Sequence, residues 1–228
     1  MLYVSQMSEY QPNLSSDKPD SSKLFKLLPA SLKGLLTVVF LAWVLELIDR
    51  FLPGNGLDSL GIEPRSITGL IGIPLMPFLH GDFGHLASNT VPFLILGWIV
   101  LKAERENFLA ASVVIILLSG IGTWLIGRSS IHIGASALIY GYLGYILARA
   151  WMERRPLWIA TGLIVGIFFG SMLFGMIPGI AGHQISWEGH LCGMIAGAWF
   201  GWRKSKKLRI TRASELPELK DIDDLLSS

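Results

Sequence analysis

Long runs without a charged side chain are the main feature of this chain. Uninterrupted runs cover residues 83–101, 107–127, 129–148 and 156–187. Each is close to or longer than the roughly 20 apolar residues that a helix needs to cross a bilayer. Two weaker apolar stretches lie at residues 34–45 and 189–202. The pattern predicts six helices, at residues 34–52, 84–102, 107–126, 134–151, 157–177 and 186–202.

The apolar stretch at residues 66–79 has a different pattern. It is shorter than the other runs and contains Pro74 and Pro77. Proline removes a backbone donor and interrupts a helix. We therefore expect a loop that lies in or on the membrane and does not span it.

Composition supports a membrane protein. Hydrophobic residues make up 51% of the 228 residues, charged residues only 16%, and the mean hydropathy is +0.52. A soluble domain carries about 25% charged residues. The values argue against a disordered chain, a collagen-like chain and a highly charged nucleic-acid-binding protein. The single cysteine, Cys192, excludes a disulfide framework and is interpreted as a small core residue.

The basic residues predict the orientation. With six spans, both tails and the loops at 102–106 and 149–155 share one side, which holds 16 of the 19 Lys and Arg residues. Arg50, Arg65 and Arg128 lie on the other side. The positive-inside rule then places both termini in the cytoplasm. We interpret the basic run at 203–212 as an anchor at anionic headgroups.

We therefore expect an all-α integral membrane protein with three parts. A six-helix domain at residues 31–203 lies between polar cytoplasmic tails at 1–30 and 204–228. No apolar signal segment follows Met1. A bacterial inner membrane is the expected location, because the sequence has no Arg- and Ser-rich organellar transit segment.

Polar side chains within the predicted spans are the candidates for function, because such groups are costly in a membrane. His85 and Asn89 are four residues apart and share one helix face, and so do Ser136 and Tyr140. His190 opens the sixth predicted helix. Counted from the cytoplasmic ends at about 1.5 Å per residue, Asn89, Ser136 and His190 all lie about 18–22 Å into the membrane.

Small residues predict which helices touch. The sixth helix has glycine at every fourth position, at Gly189, Gly193, Gly197 and Gly201. The fourth helix carries a similar ridge of Ala137, Gly141, Gly144 and Ala148. Such spacing lets membrane helices approach closely. Packing these two helices together would place Ser136 beside His190.

A serine beside a histidine predicts acyl-transfer chemistry. The imidazole takes the hydroxyl proton while the hydroxyl oxygen attacks a carbonyl carbon. His85, Asn89 and a backbone N–H near Ser136 could stabilise the resulting oxyanion. Glu188 is two residues from His190 and faces elsewhere on a helix, so the prediction is a dyad of Ser136 and His190.

These residues also form three motifs in a characteristic order. His80, His85 and Asn89 open the second helix, and the Gly-x-Ser of Gly134–Ser136 opens the fourth. Gly189 and His190 precede Gly193 and Gly197 in the sixth. With these motifs, the chain resembles the rhomboid family of intramembrane serine proteases over about residues 34–202.

The resemblance implies an activity and a set of roles. Ser136 would be the nucleophile, His190 the general base and acid, and His85 and Asn89 the oxyanion donors. Tyr140 would pack against the His190 ring. Apart from the resemblance, we interpret His80 as a structural residue that holds the first loop. The implied substrates are transmembrane segments of other membrane proteins, cleaved near the outer leaflet, with the connection at 179–187 capping the site.

No cofactor and no metal would take part. The predicted partners are thus transmembrane protein substrates and the lipid bilayer, with no nucleic acid; no oligomeric state is predicted.

Two positions depart from the family pattern. Ala137 stands where a glycine commonly follows the nucleophile, and Pro64-Arg65 stands where many members have a Trp-Arg pair in the first loop. These departures bear on the oxyanion site and on the first loop.

Three other classes of function compare less well with the sequence. The main alternative is a rhomboid-fold protein that binds and escorts membrane clients without cutting them. Such a protein is expected to lack the serine or the histidine, and this chain has both Ser136 and His190. A metalloprotease is disfavoured because the chain lacks His-Glu-x-x-His. A transporter is disfavoured as well, because it would show half-helices or inverted repeats and the sequence shows neither.

His132 and His183 are expected to be solvated or bonded locally.

Overall fold

The computed structural model of the protein describes residues 30–54, 56–180, 182 and 185–215, without the side chains of residues 30, 31 and 212–215. Six helices of at least 14 residues lie in this part. They are α1 (Ala30–Asp49), α2 (Phe83–Glu104), α3 (Phe108–Ile126), α4 (Ser136–Glu153), α5 (Pro156–Phe169) and α6 (Trp187–Glu215). The described residues contain no β-strand, and an isolated bridge joins Ile62 to His132.

The sixth helix is longer than the sequence pattern predicts. It continues to Glu215, whereas the apolar run indicated an end at residue 202. The added turns consist mainly of Lys, Arg and Leu, which are good helix formers. Arg203 and Lys206 lie over the rings of Trp199 and Trp202, at 5.0 and 5.5 Å from the ring centroids. The absence of charge therefore marked where the apolar surface ends and not where the helix ends.

The segment at 66–79 is not an irregular loop. It forms three short helical turns, Thr68–Ile71, Gly72–Leu75 and Met76–Phe78, which are too short to span a membrane. Arg65 fastens its start to the end of α3, because its guanidinium donates to the Gly127 carbonyl at 2.7 Å. The indole of Trp124 donates in return to the Ser66 carbonyl at 2.7 Å. Pro64-Arg65 thus anchors the first loop on α3.

Two helical stretches are long and apolar enough to cross a membrane. They are Phe83–Ile126 and Pro156–Met176, which contain 18-residue windows with mean hydropathies of 2.3 and 2.1. The first contains both α2 and α3, separated by the 3-10 turn Arg105–Asn107. Arg105 has a φ of 50°, which interrupts the regular helix between them. The second contains α5 and a 3-10 turn, Gly170–Met176, which we call the α5 turn.

Helix α4 lies at the centre of the bundle and packs against α2, α3, α5 and α6. Tyr142, Leu143, Tyr145 and Ile146 of α4 are almost completely buried. The prediction that α4 packs against α6 is confirmed. A Cβ atom at Gly193 would overlap the carbonyl oxygen of Ala137, and one at Gly197 would overlap that of Gly141. The backbones of α4 and α6 are therefore so close at these positions that only glycine fits.

A buried ionic cluster joins three helices at the end opposite to Ser136. Glu104 of α2 accepts hydrogen bonds from Arg149 of α4 at 3.3 Å and from Lys204 of α6 at 2.8 Å. Arg149 also pairs with Glu153. The Glu104 side chain is fully enclosed, so Arg149 and Lys204 supply the interactions that water would otherwise provide. The sequence pattern had indicated that Arg149 and Lys204 lie at the membrane surface, and it contains no sign of this pairing.

The closeness of α4 and α6 predicts the effect of one methyl group. Gly197→Ala should lower the thermal unfolding midpoint in detergent micelles, because the added Cβ forces the two backbones apart. Overpacking of this kind costs about 1–3 kcal/mol. Gly166→Ala on α5 is the matched control, because a Cβ there meets nothing within 4 Å. Equal midpoints for the two variants would contradict the packing described above.

Candidate active site

Ser136 is the first residue of α4 and is partly exposed. The turn before it is held from two sides. The Gly134 N–H donates to the Met76 carbonyl at 2.9 Å, and the Ala135 N–H donates to His80 Nε2 at 3.4 Å. His80 is 2% exposed and makes an edge contact with the His85 ring at 5.1 Å between centroids. His80 therefore supports the turn that presents Ser136.

His85 and Asn89 approach the same turn from α2. Asp82 caps this helix by accepting the His85 N–H at 2.8 Å, and this hydrogen bond lowers the pKa of the Asp82 carboxyl. A Cβ on Gly134 would lie 2.8 Å from His85 Nε2 and 3.5 Å from Asn89 Nδ2. Gly134 also has a φ of 109°, which side chains rarely adopt. Glycine is thus required here for both space and conformation.

Asn89 has an unusual unpaired donor. The residue is 8% exposed, and its Nδ2 has no hydrogen-bond partner among the described residues. A buried amide donor without a partner costs free energy, of the order of 1–3 kcal/mol. Because this donor lies beside Gly134, two residues before Ser136, it can bond an oxygen atom that enters the site.

The His190 ring is held by two contacts. It stacks on the Tyr140 ring with 4.1 Å between centroids and 11° between planes. Its Nδ1 atom lies 2.9 Å from the Gly175 carbonyl oxygen. A carbonyl oxygen only accepts, so Nδ1 carries the proton in this bond and Nε2 is left to accept another. This is the tautomer that a general base needs.

The α5 turn supplies both carbonyl groups that hold these rings. The Tyr140 hydroxyl donates to the Met172 carbonyl at 2.5 Å, and Gly175 binds His190 as described above. A Cβ on Gly175 would overlap the Tyr140 hydroxyl. Sequence reasoning did not find the role of this turn, because backbone carbonyls leave no mark in residue type.

The structure brings the two predicted dyad residues to the same end of one helix pair. The carbonyl of Ala137, the residue after Ser136, packs directly against Gly193. Gly193 is three residues after His190. Ser136 also lies one turn before Tyr140, the residue that stacks on His190. Glu188 is turned to another neighbour, because its carboxylate accepts the Arg128 N–H at 3.1 Å.

Ala137 is buried behind the first loop. Its side chain is buried in a small apolar cluster with Ile62, Ile73 and Met76. The methyl group therefore packs against the first loop. The departure from glycine at this position is accommodated by apolar contact.

His132 connects two segments that are distant in the sequence. It is 3% exposed, and its main partner is 54 residues away, so it is neither solvated nor bonded only locally. Its Nε2–H donates to the Arg128 carbonyl at 3.1 Å, and its Nδ1 accepts from the Ser186 hydroxyl at 2.6 Å. The Ser186 oxygen accepts the Gly189 N–H at 3.2 Å. His132 thus ties the segment before α4 to the start of α6; His183 lies outside the described residues.

The remaining titratable groups do not suggest a metal centre. Within the described ranges, no group of three or more His, Cys, Asp or Glu side chains is placed to hold a metal ion. Cys192 is partly exposed and lies close to Gly122 of α3.

Comparison with known proteins identifies the family. The family model of the Rhomboid domain matches residues 67–207, which is more than half of the chain. The chain belongs to the rhomboid family. The described part of this rhomboid protein is accordingly all-helical, and the family is embedded in membranes.

The relatives of this rhomboid protein include bacterial and fungal proteins. An uncharacterized protein of Mycobacterium tuberculosis is 40% identical over 187 residues, which are 78% of this chain and 77% of the relative. An uncharacterized protein of Mycobacterium leprae is 37% identical over 78% of this chain and 73% of its own length. Rhomboid-type serine protease 2 of Yarrowia lipolytica is 27% identical over 74% of this chain and 58% of its own.

The contacts of His132 predict a dependence of stability on pH. Burial lowers the pKa of His132, so the folded protein favours the neutral ring. The contribution of the His132 contacts to the free energy of unfolding is therefore fully present above the unfolded pKa of about 6.5. It decreases as the pH drops below that value. His132→Gln can still form hydrogen bonds but does not titrate. We expect the unfolding midpoint of the wild type to fall more steeply than that of the variant between about pH 7 and pH 5.

The other titrating groups are the same in both proteins, so the difference between the curves isolates His132. Parallel curves would show that this ring does not link folding to pH.

Proposed function

We propose that this protein is an intramembrane serine endopeptidase with Ser136 as nucleophile and His190 as general base and acid. The observation that carries the proposal is the state of His190. Its ring is stacked on Tyr140, its Nδ1–H is bound by Gly175, and Nε2 is left to accept a proton. Family membership supports the same reaction class.

The proposed reaction begins with proton transfer. His190 Nε2 takes the proton of the Ser136 hydroxyl while the serine oxygen attacks the peptide carbonyl carbon. The imidazolium then gives this proton to the departing amine, which leaves an acyl-enzyme on Ser136. Water, activated by the same nitrogen, hydrolyses the ester and restores the serine. Ser136 is partly exposed, which would allow water to reach it.

The oxyanion of the tetrahedral intermediate is assigned to the α2 side of the site. Asn89 Nδ2 is an unpaired buried donor beside Gly134, and the His85 ring lies against the same residue. Donors that are fixed in place before the reaction stabilise developing charge without a cost of reorganisation. A backbone N–H near Ser136 would complete the set.

Two residues would act through others. His80 accepts the Ala135 N–H and so positions the turn that carries Ser136. Tyr140 positions the His190 ring by stacking. The Gly175 carbonyl would do what a carboxylate does in a triad, because it fixes the tautomer of the base. The proposed reaction needs only these groups and water, with no cofactor or metal.

The proposed setting is a six-span topology with both termini in the cytoplasm. The described helices and the basic residues at the Glu104 end of the bundle support it. We propose a six-helix domain at 31–203 with cytoplasmic tails at 1–30 and 204–228, in a bacterial inner membrane. Mycobacterial relatives are consistent with this location.

The proposed substrates are transmembrane segments of other membrane proteins. Cleavage would occur near the outer leaflet, because Ser136 and His190 lie at the helix ends opposite to the basic residues. A protein that only binds and escorts such clients is the alternative. It is not favoured, because both Ser136 and His190 are present.

Proteolysis of a model single-span substrate in liposomes tests the proposal. The wild type should cleave it, and Ser136→Ala should lower the rate by at least about 10⁴-fold, since the nucleophile is lost. Ser59→Ala is the matched control, because Ser59 is exposed and its hydroxyl donates to the nearby Gly56 carbonyl. It should cleave at the wild-type rate.

The outcomes separate the two functions. Cleavage by folded and inserted Ser136→Ala at the wild-type rate would exclude Ser136 as the nucleophile. Binding of the substrate by the wild type without any cleavage would instead favour the escort function.

A further inference from the structure

An elongated apolar cavity of about 380 Å³ lies between α1 and α3, with α2 and α4 forming its floor. Its inner end reaches His80, Asn89 and Ala135, behind the turn that presents Ser136. Its other end is lined by Gly34 of α1 and Leu109 of α3. The cavity therefore runs along the bundle, from the back of the candidate active site towards the turn between α2 and α3.

The exposure of the lining residues shows where the cavity opens. Leu86 and Tyr142 are at most 2% exposed, whereas Leu109 is 72% exposed and Gly34 is exposed as well. A Cβ on Gly34 would meet nothing within 4 Å, so the wall is open at this point. The mouth thus lies between α1 and α3 and faces the surroundings of the bundle.

A cavity of this size gains dispersion contacts when an apolar group fills it. Protein interiors are close-packed, and each unfilled apolar volume forfeits dispersion contacts. Two of the polar lining residues bond within the protein, because Ser112 bonds Tyr142 at 2.8 Å and Thr90 bonds the Leu86 carbonyl at 2.8 Å; the unpaired Asn89 Nδ2 and His80 Nδ1 lie at the inner end. The lining therefore offers an apolar surface for a flexible hydrocarbon chain.

The charges beside the mouth indicate a headgroup. Lys102 follows the lining residue Leu101, and Arg105 lies in the turn that leads to Phe108, which also lines the cavity. Both basic side chains are exposed, and Lys102 Nζ lies 4.4 Å above the Trp98 ring. Glu106 in the same turn is the acidic neighbour, so the exposed groups of the turn carry one net positive charge. An anionic group is favoured there.

We propose that this cavity is a binding site for one anionic phospholipid. One acyl chain enters between α1 and α3 and extends towards Asn89, and the phosphate lies near Lys102 and Arg105. The site requires only that the protein is embedded in a bilayer, and it does not depend on proteolysis. Its occupant would fill the space behind the turn that carries Ser136.

Native mass spectrometry of the full chain tests the site. The protein is equilibrated with equal amounts of phosphatidylglycerol and phosphatidylcholine of identical acyl chains, then released from detergent. We expect the wild type to retain one phosphatidylglycerol, preferred by about fivefold, which corresponds to one net charge near the headgroup. Lys102→Gln/Arg105→Gln should keep a bound lipid but lose this preference.

A variant that closes the mouth supplies the steric test. Gly34→Trp has room for its Cβ and should place the indole in the entrance, so that the retained lipid is lost. Gly166→Trp is the matched control, since Gly166 of α5 is equally open and lies far along the chain from the cavity. It should retain lipid as the wild type does.

Three results would overturn the proposal. They are equal retention of the two lipids by the wild type, an unchanged preference in Lys102→Gln/Arg105→Gln, and equal retention by Gly34→Trp and Gly166→Trp.

Discussion

The close approach of the α4 and α6 backbones is the constraint on which the rest of the structure depends. Gly193 and Gly197 touch the carbonyl oxygens of Ala137 and Gly141, and neither position has room for a side chain. In a bilayer, apolar side chains gain little from leaving the lipid, so helices associate mainly through close packing. This contact sets the register of the two helices. It thereby brings the starts of α4 and α6, with Ser136 and His190, to one end of the bundle.

The site adds a second set of restraints, most of them from the backbone. The α5 turn binds His190 and the Tyr140 hydroxyl through its carbonyls, and His132 links the segment before α4 to Ser186 before α6. None of these contacts places a carboxylate beside His190. In the proposed mechanism, a carbonyl is sufficient to hold the tautomer, and the imidazolium would exist only transiently.

Much of this arrangement could be predicted from the sequence, because membrane helices leave periodic marks. Charge-free runs located the helices, and the glycine spacing in α6 predicted its packing partner correctly. The predicted end of α6 was wrong. The charge pattern shows where the apolar surface of the helix ends, but Lys and Arg are good helix formers and the helix continues through them. The carbonyl contacts of the α5 turn and the pairing of Glu104 with Arg149 depend on tertiary contacts, which no local pattern encodes.

The measurement that tests the central claim most directly is covalent labelling by a fluorophosphonate probe, followed by peptide mapping in a mass spectrometer. Such probes react with a serine whose hydroxyl is activated by a base. The account predicts a single adduct, on Ser136, that disappears in folded His190→Ala. An adduct on another serine, or labelling of Ser136 at the same rate in His190→Ala, would contradict the proposed pairing of these two residues.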